Sequence, residues 1–309
     1  MSNLTFLTEE QCFGREKLDI LQKRGNKAAM TDFSILLGGI FSTDDDSLEK
    51  KIGCWWTKSD FGAREVGMIT EEGYCRGQYR TSRLCGARPA LSISSISRIP
   101  TNGVRGASKI ARDGVLEVEY GYYPQKAVSR DMQEKLEGAF HKGGLSRTGK
   151  KYTTGSIESD EEFFPEQHEE FQLDGKKYVR IEANFCFYGD GFELSNGESY
   201  RDGDHVWVEV APIKWLVDER AKLMLTDKII FAGVRFAPTK DHYRTEDFDK
   251  TDIKTFMDKY FSKELEQSIK TTEMGEQSFE EQEVQPRKSR LQKLNPDKSE
   301  PVSRVKMTD

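Results

Sequence analysis

Five cysteines (Cys12, Cys54, Cys75, Cys85 and Cys186) and four histidines (His141, His168, His205 and His242) are the side chains here best suited to nucleophilic, redox or metal chemistry. Their spacing does not organise them for it. There is no CxxC pair, and no histidine stands four residues from another, so neither a zinc site nor a dithiol motif is written in the chain. The thiols are read as buried and free, and no metal or cofactor is expected. Three consecutive acids, Asp44, Asp45 and Asp46, point different ways and lack the spaced donors of a calcium loop. GxSxG, P-loop, GxGxxG and HExxH motifs are absent, and Asp241 and His242 are merely adjacent, so no nucleophile is nominated and the chain is read as no enzyme.

What remains is a binding patch. On a strand, Trp55 and Trp56 point to opposite sides, so one belongs to the core and the other, Trp56, to the surface. With Tyr74, Arg76, Tyr79, Arg80 and Arg83 it would form an aromatic and cationic patch suited to a sugar or an anionic partner. Arg88 is read as structural, its five donors tying loop carbonyls and carboxylates together.

The elements that must position this patch follow from composition and pattern. The 309 residues carry 47 basic and 53 acidic side chains, a net charge of −6, with 18 Phe, 11 Tyr and 4 Trp to fill a core. Full disorder is excluded, and the acidic balance gives no reason to expect nucleic acid. No apolar window reaches the length of a membrane span and the first residues lack a secretory pattern, so a cytoplasmic protein is expected. Thr8-Glu9-Glu10-Gln11 has the form of a capping box and opens a helix that ends near Gly25-Asn26. Residues 54–91, punctuated by glycines, read as short strands, and 92–114 as a small-residue linker. Leu116, Val118 and Tyr120 alternate as in a strand, Asp131 caps a helix, and 143–167 is a polar excursion. Asp174-Gly175 is a tight turn before a strand from Tyr178 to Phe187. A further strand, His205–Val210, is broken by Pro212. A hairpin turns about Asp218-Glu219-Arg220, and the strongest helix runs from Thr251 to Leu265. Beyond residue 270 the chain separates into acidic and basic pieces and reads as a disordered tail.

Two groups of short motifs resemble an uncharacterised bacterial and phage domain family related to the formylglycine-generating-enzyme and C-type-lectin-like fold. Cys54-Trp55-Trp56-Thr57-Lys58-Ser59 followed by Gly86-Ala87-Arg88-Pro89-Ala90-Leu91 is similar to its closing half, WW-x-R/K-S then GVRPAL, and Phe6-Leu7-Thr8-Glu9-Glu10 to its lead-in. Gly121-Tyr122-Tyr123-Pro124-Gln125, Pro212-Ile213-Lys214-Trp215, Lys228-Ile229-Ile230 and the helix from Thr251 to Phe261 are similar to its opening half. The halves stand in reverse order. The resemblance implies an α+β, C-type-lectin-like or sulfatase-modifying-factor-like domain that is circularly permuted. Its closing half would be 1–100, a linker 101–114, its opening half 115–268 and the tail 269–309. Two separate domains, or halves swapped between two chains, are the alternatives.

The resemblance further implies non-catalytic binding of a protein or carbohydrate, with 143–167 and 186–204 as variable loops. A competing reading is a copper or thiol oxidase, since Cys75 lies where formylglycine-generating enzymes hold the second of two copper-binding thiolates. The position of the first is Thr70 here, and one soft ligand cannot replace two; only an unexpected approach of Cys54 or Cys85 would restore the pair. A structural or assembly role is the third class.

Overall fold

The computed structural model describes residues 4–42, 51–94, 99–102, 107–155, 165–184, 191–238 and 244–265, all within one unit spanning Met1–Gly275. The chain is mixed α+β, with mostly antiparallel sheets and few helices. Its front part gives β1 (Leu4–Thr5), α1 (Glu9–Phe13), α2 (Asp19–Arg24), β2 (Ala28–Ala29), α3 (Asp32–Leu36) and β3 (Ile52–Gly53). Next come β4 (Trp55–Asp60), β5 (Glu65–Ile69), β6 (Cys75–Tyr79), β7 (Ala90–Ser92) and β8 (Ser108–Ile110). The rear part opens with β9 (Leu116–Ala127), α4 (Arg130–His141), β10 (Ser146–Gly155), β11 (Pro165–Leu173) and β12 (Lys176–Glu182). It continues with β13 (Phe192–Glu193), β14 (Ser199–Tyr200), β15 (His205–Asp218) and β16 (Leu223–Thr226). Last is α5 (Asp252–Phe256), prolonged by a π turn over Met257–Phe261 and a final helical turn at 262–265.

Strand β15 is the spine of a nine-stranded sheet. One edge pairs with β9 along most of its length, the other with β12 near its start and β16 near its end. Front and rear meet here directly, because β16 pairs with β7, which in turn pairs with β1. A single apolar cluster runs from Leu4 through Trp55, Trp56 and Trp215 to Phe261 and Leu265. Phe6 and Trp56 from the front stack on Phe236 with ring centroids 6.4 and 5.4 Å apart. Phe33 meets Tyr123 edge-on at 5.5 Å. A smaller cluster, Val128, Leu136, Phe171, Tyr178 and Trp207, lies under α4.

Several local expectations hold for identifiable reasons. The Thr8 hydroxyl accepts from Gln11 N while the Gln11 side chain accepts from Thr8 N, completing the capping box. Asp174 and Gly175 both take positive φ, as the turn between β11 and β12 demands. The quoted motifs also touch: Gln125 Nε2 donates to the carbonyls of Ala211 and Pro212 at 2.9 and 2.7 Å. Arg88 Nε donates to Thr226 O at 2.9 Å, and its guanidinium lies over the Trp55 ring.

Other expectations are corrected. The first helix is two, α1 and α2, separated where Gly14 leaves helical geometry. Pro212 does not end its strand: register shifts at Glu209/Val210 and Pro212/Lys214 let the chain pass while Gln125 takes up the freed carbonyls. The linker holds a strand, β8, paired with β9. Within the expected excursion 143–167, β10 and the start of β11 are paired strands, buried at Tyr152, Thr153 and Thr154. Part of 186–204 forms the β13–β14 hairpin. Helix α4 starts at Arg130, after Ser129, so Asp131 lies inside its first turn. The strand expected to reach Phe187 stops at Glu182. Asp44 to Asp46, Cys186, Asp241, His242 and the tail lie outside the described residues.

Candidate functional site

Strands β4, β5 and β6 form a three-stranded antiparallel sheet that carries every residue of the expected patch or leads into it. Trp55 and Trp56 do point to opposite faces, but both faces are covered and both rings are fully buried. On one side Trp55 Nε1 donates to Asn26 O at 3.1 Å under the Arg88 guanidinium; on the other Trp56 packs on Phe236. Trp56 is therefore a core residue, contrary to the surface position expected of it.

Arg80 and Arg83 are also buried. The segment containing them runs along residues 230–237, with Ala237 N donating to Arg80 O, Gly233 N to Arg83 O and Ile230 N to Ala87 O. That backbone pairing draws both guanidiniums inward, which the sequence signals only through the glycines and small residues near them. Gly86 is required in the same run because a side chain there would collide with Ile229 and approach the Cys54 carbonyl.

Tyr74, Arg76 and Tyr79 are left at the surface, the tyrosines 63% and 61% exposed. The turn between β5 and β6 is built by Thr70, whose N–H donates to Tyr74 O at 2.8 Å and whose hydroxyl accepts from Tyr74 N at 3.3 Å. Gly73 occupies the left-handed position at φ 90°. Alternation places Arg76 on the same side as Tyr74, while Tyr79 lies at the far end of β6, opposite Glu65 on the other face. At the roughly 3.3 Å rise per residue of a strand, the five steps from Tyr74 to Tyr79 span about 16 Å of chain. The patch is thus two contacts at opposite ends of one exposed edge strand rather than a single platform. Arg64, exposed beside the β5 start, is a cation near Tyr79 that pattern reading passed over.

The four described cysteines are free, as expected, with Cys12, Cys54 and Cys85 buried. Cys75 is half-buried in β6 opposite Ile69, and burial pushes its thiol up to about 12, so it is protonated at neutral pH and a weak nucleophile. Burial likewise pushes the Cys12 thiol up to about 12, with Arg88 acting in the opposite sense. The two that approach each other are Cys54 and Cys85, with Sγ atoms 3.2 Å apart. Among the described residues no group of three or more His, Cys, Asp or Glu could hold a metal ion.

Buried polar groups that the sequence did not single out hold the rear sheet to its surroundings. Asp32 accepts from Ala127 N at 2.8 Å, Ser195 N at 3.1 Å and Ser195 Oγ at 2.6 Å, joining α3 to β9 and to the β13–β14 hairpin. Across β10 and β11, Tyr152 donates its hydroxyl to Glu170 at 2.7 Å, and Thr154 shares a hydrogen bond with His168 Nε2 at 2.8 Å. Burial lowers the His168 pKa to about 4, so the ring is neutral and the Thr154 hydroxyl can donate to it. Burial raises the Glu264 carboxyl, opposed by the ammonium of Lys150. No helix among the described residues is long and apolar enough to cross a membrane. Compared with protein-family models, curated proteins and solved structures, the chain matches none of them.

Proposed function

We propose that this chain is a cytoplasmic, non-catalytic binding protein on a permuted C-type-lectin-like scaffold related to formylglycine-generating enzymes. It offers the outer edge of the β4–β6 arm, through Tyr74, Arg76 and Tyr79, to a protein or carbohydrate partner. The observation that carries this reading is the exposure of Tyr74, in the turn before β6, and of Tyr79, at the end of that short edge strand, with the arm's base anchored by Trp55 and Trp56. Large amphipathic rings with polar tips gain contact area at small conformational cost, and a neighbouring guanidinium adds directed hydrogen bonds. The direct contact of the Gly121–Gln125 and Pro212–Trp215 motifs, and of Arg88 with the end of β16, supports the family-like scaffold.

The test is binding of the labelled full-length chain to a panel of neutral and acidic oligosaccharides, with host extract as a parallel source of protein partners. The reading predicts a saturable partner whose affinity falls about tenfold or more, ~1.4 kcal/mol, in Tyr74→Ala or Tyr79→Ala with unchanged melting temperature. Binding that survives both substitutions removes the arm as the site. A fixed large oligomer in light scattering, with no partner in either panel, points instead to assembly.

A further inference from the structure

We propose that Cys54 and Cys85 are a modification site: a dithiol poised to close into an intramolecular disulfide that clips the base of the β4–β6 arm. The inference does not depend on what the arm binds. The two Sγ atoms are 3.2 Å apart, about 1.2 Å more than a disulfide bond. Their backbones are already locked side by side. Gly86 N donates to Cys54 O at 2.9 Å, Trp56 N to Gly86 O at 3.1 Å, and Ile40 bridges the two, donating to Leu84 O at 2.9 Å and accepting from Cys54 N at 3.4 Å. The parallel bridge between Trp55 and Gly86 sets Cys54 beside Cys85, and neighbouring strands lie about 4.7–4.9 Å apart, inside the range that a disulfide spans. The sulphurs therefore have only about 1.2 Å left to close.

The position gives the bond a consequence. Residues 55–84, the whole arm with Tyr74, Arg76 and Tyr79, lie between the two cysteines, so the bond would close a covalent ring at the arm's root. The reaction balances with a peroxide as oxidant. One thiol, deprotonated, attacks a peroxide oxygen, breaking the O–O bond and giving a sulfenic acid and hydroxide. The second thiol then attacks that sulphur, forming the S–S bond as the sulfenic oxygen leaves as water. In sum two thiols lose two protons and two electrons, and hydrogen peroxide becomes two waters. Both thiols are buried, and burial pushes the Cys85 thiol well above its ordinary value, so the first step is slow. Met68 Sδ, 3.2 Å from Cys85 Sγ, is the competing acceptor of oxygen.

The experiment treats the native full-length chain with hydrogen peroxide in the presence of a chelator, quenches free thiols by alkylation, and maps peptides without reduction. The expected result is a linked Cys54–Cys85 peptide, formed within the monomer, removed by reductant and accompanied by a melting temperature higher by on the order of 5–10 °C. Cys75→Ser should retain the link, while Cys54→Ser and Cys85→Ser should lose it. The wild-type map decides the matter even where a variant fails to fold. Both thiols recovered free, oxygen added at Met68 instead, or a link that runs through Cys75 or between chains would overturn the assignment.

Discussion

His168 provides a sharp electrostatic test of how β10 and β11 are buried. Its ring is 7% exposed and hydrogen-bonded to Thr154, and burial holds its folded pKa at about 4, against about 6.5 for an unperturbed histidine. Between these values the unfolded chain carries the proton and the folded chain does not, so stability is full above about pH 6.5 and is lost as pH falls through 6.5 towards 4. The whole shift is worth about 3.4 kcal/mol, and about 2 kcal/mol of that should disappear between pH 7.5 and 5. The assay is urea unfolding of the wild type and of His168→Gln, which keeps a polar group facing Thr154 but cannot titrate, at half-unit pH steps. The difference in stability between the two should change by about 2 kcal/mol over that interval, the wild type losing more. Other groups, including Glu264, whose raised carboxyl acts in the opposite direction, titrate in both proteins and cancel to first order. A difference that stays flat from pH 7.5 to 5 would refute the burial of this histidine in a paired strand.

Further expectations concern the joints between the front and rear of the chain. Asp32→Ala leaves the donors of Ala127 and Ser195 without their acceptor and should cost about 3 kcal/mol in denaturant unfolding; a loss under 0.5 kcal/mol contradicts the junction. Trp56→Ala should cost about 3–5 kcal/mol, and a double-mutant cycle with Phe236→Ala should reveal about 0.5–1.5 kcal/mol of coupling. A near-neutral Trp56→Ala would return that ring to the surface.

Local signals carried most of the regular structure. The reciprocal Thr8 and Gln11 bonds, the Asp174-Gly175 turn and the alternation of His205 to Val210 are all short-range, so they survive whatever surrounds them. What failed depended on neighbours distant in sequence. Strand β10 reads as polar because its exposed residues include Arg147 and Lys151, and only pairing with β11 reveals Tyr152 and Thr154 as its inner face. Pro212 reads as a breaker, and becomes tolerable only with Gln125 from β9 against its carbonyl. The binding patch shrank for a similar reason. Strand parity predicts opposite directions for Trp55 and Trp56 correctly, but cannot tell that Phe236 waits on one side and Arg88 on the other. The proximity of Cys54 and Cys85 likewise arises from a parallel bridge between Trp55 and Gly86, which no spacing rule anticipates.

The most direct test of a shared interior is to produce residues 1–100 and 115–268 separately and together. Since β1 and β7 complete their pairing through β16, and Phe6 and Trp56 find their ring partners only beyond residue 230, neither piece should melt cooperatively alone. Combined, they should recover a single cooperative transition. Two pieces that each unfold sharply by themselves, with no gain on mixing, would contradict it.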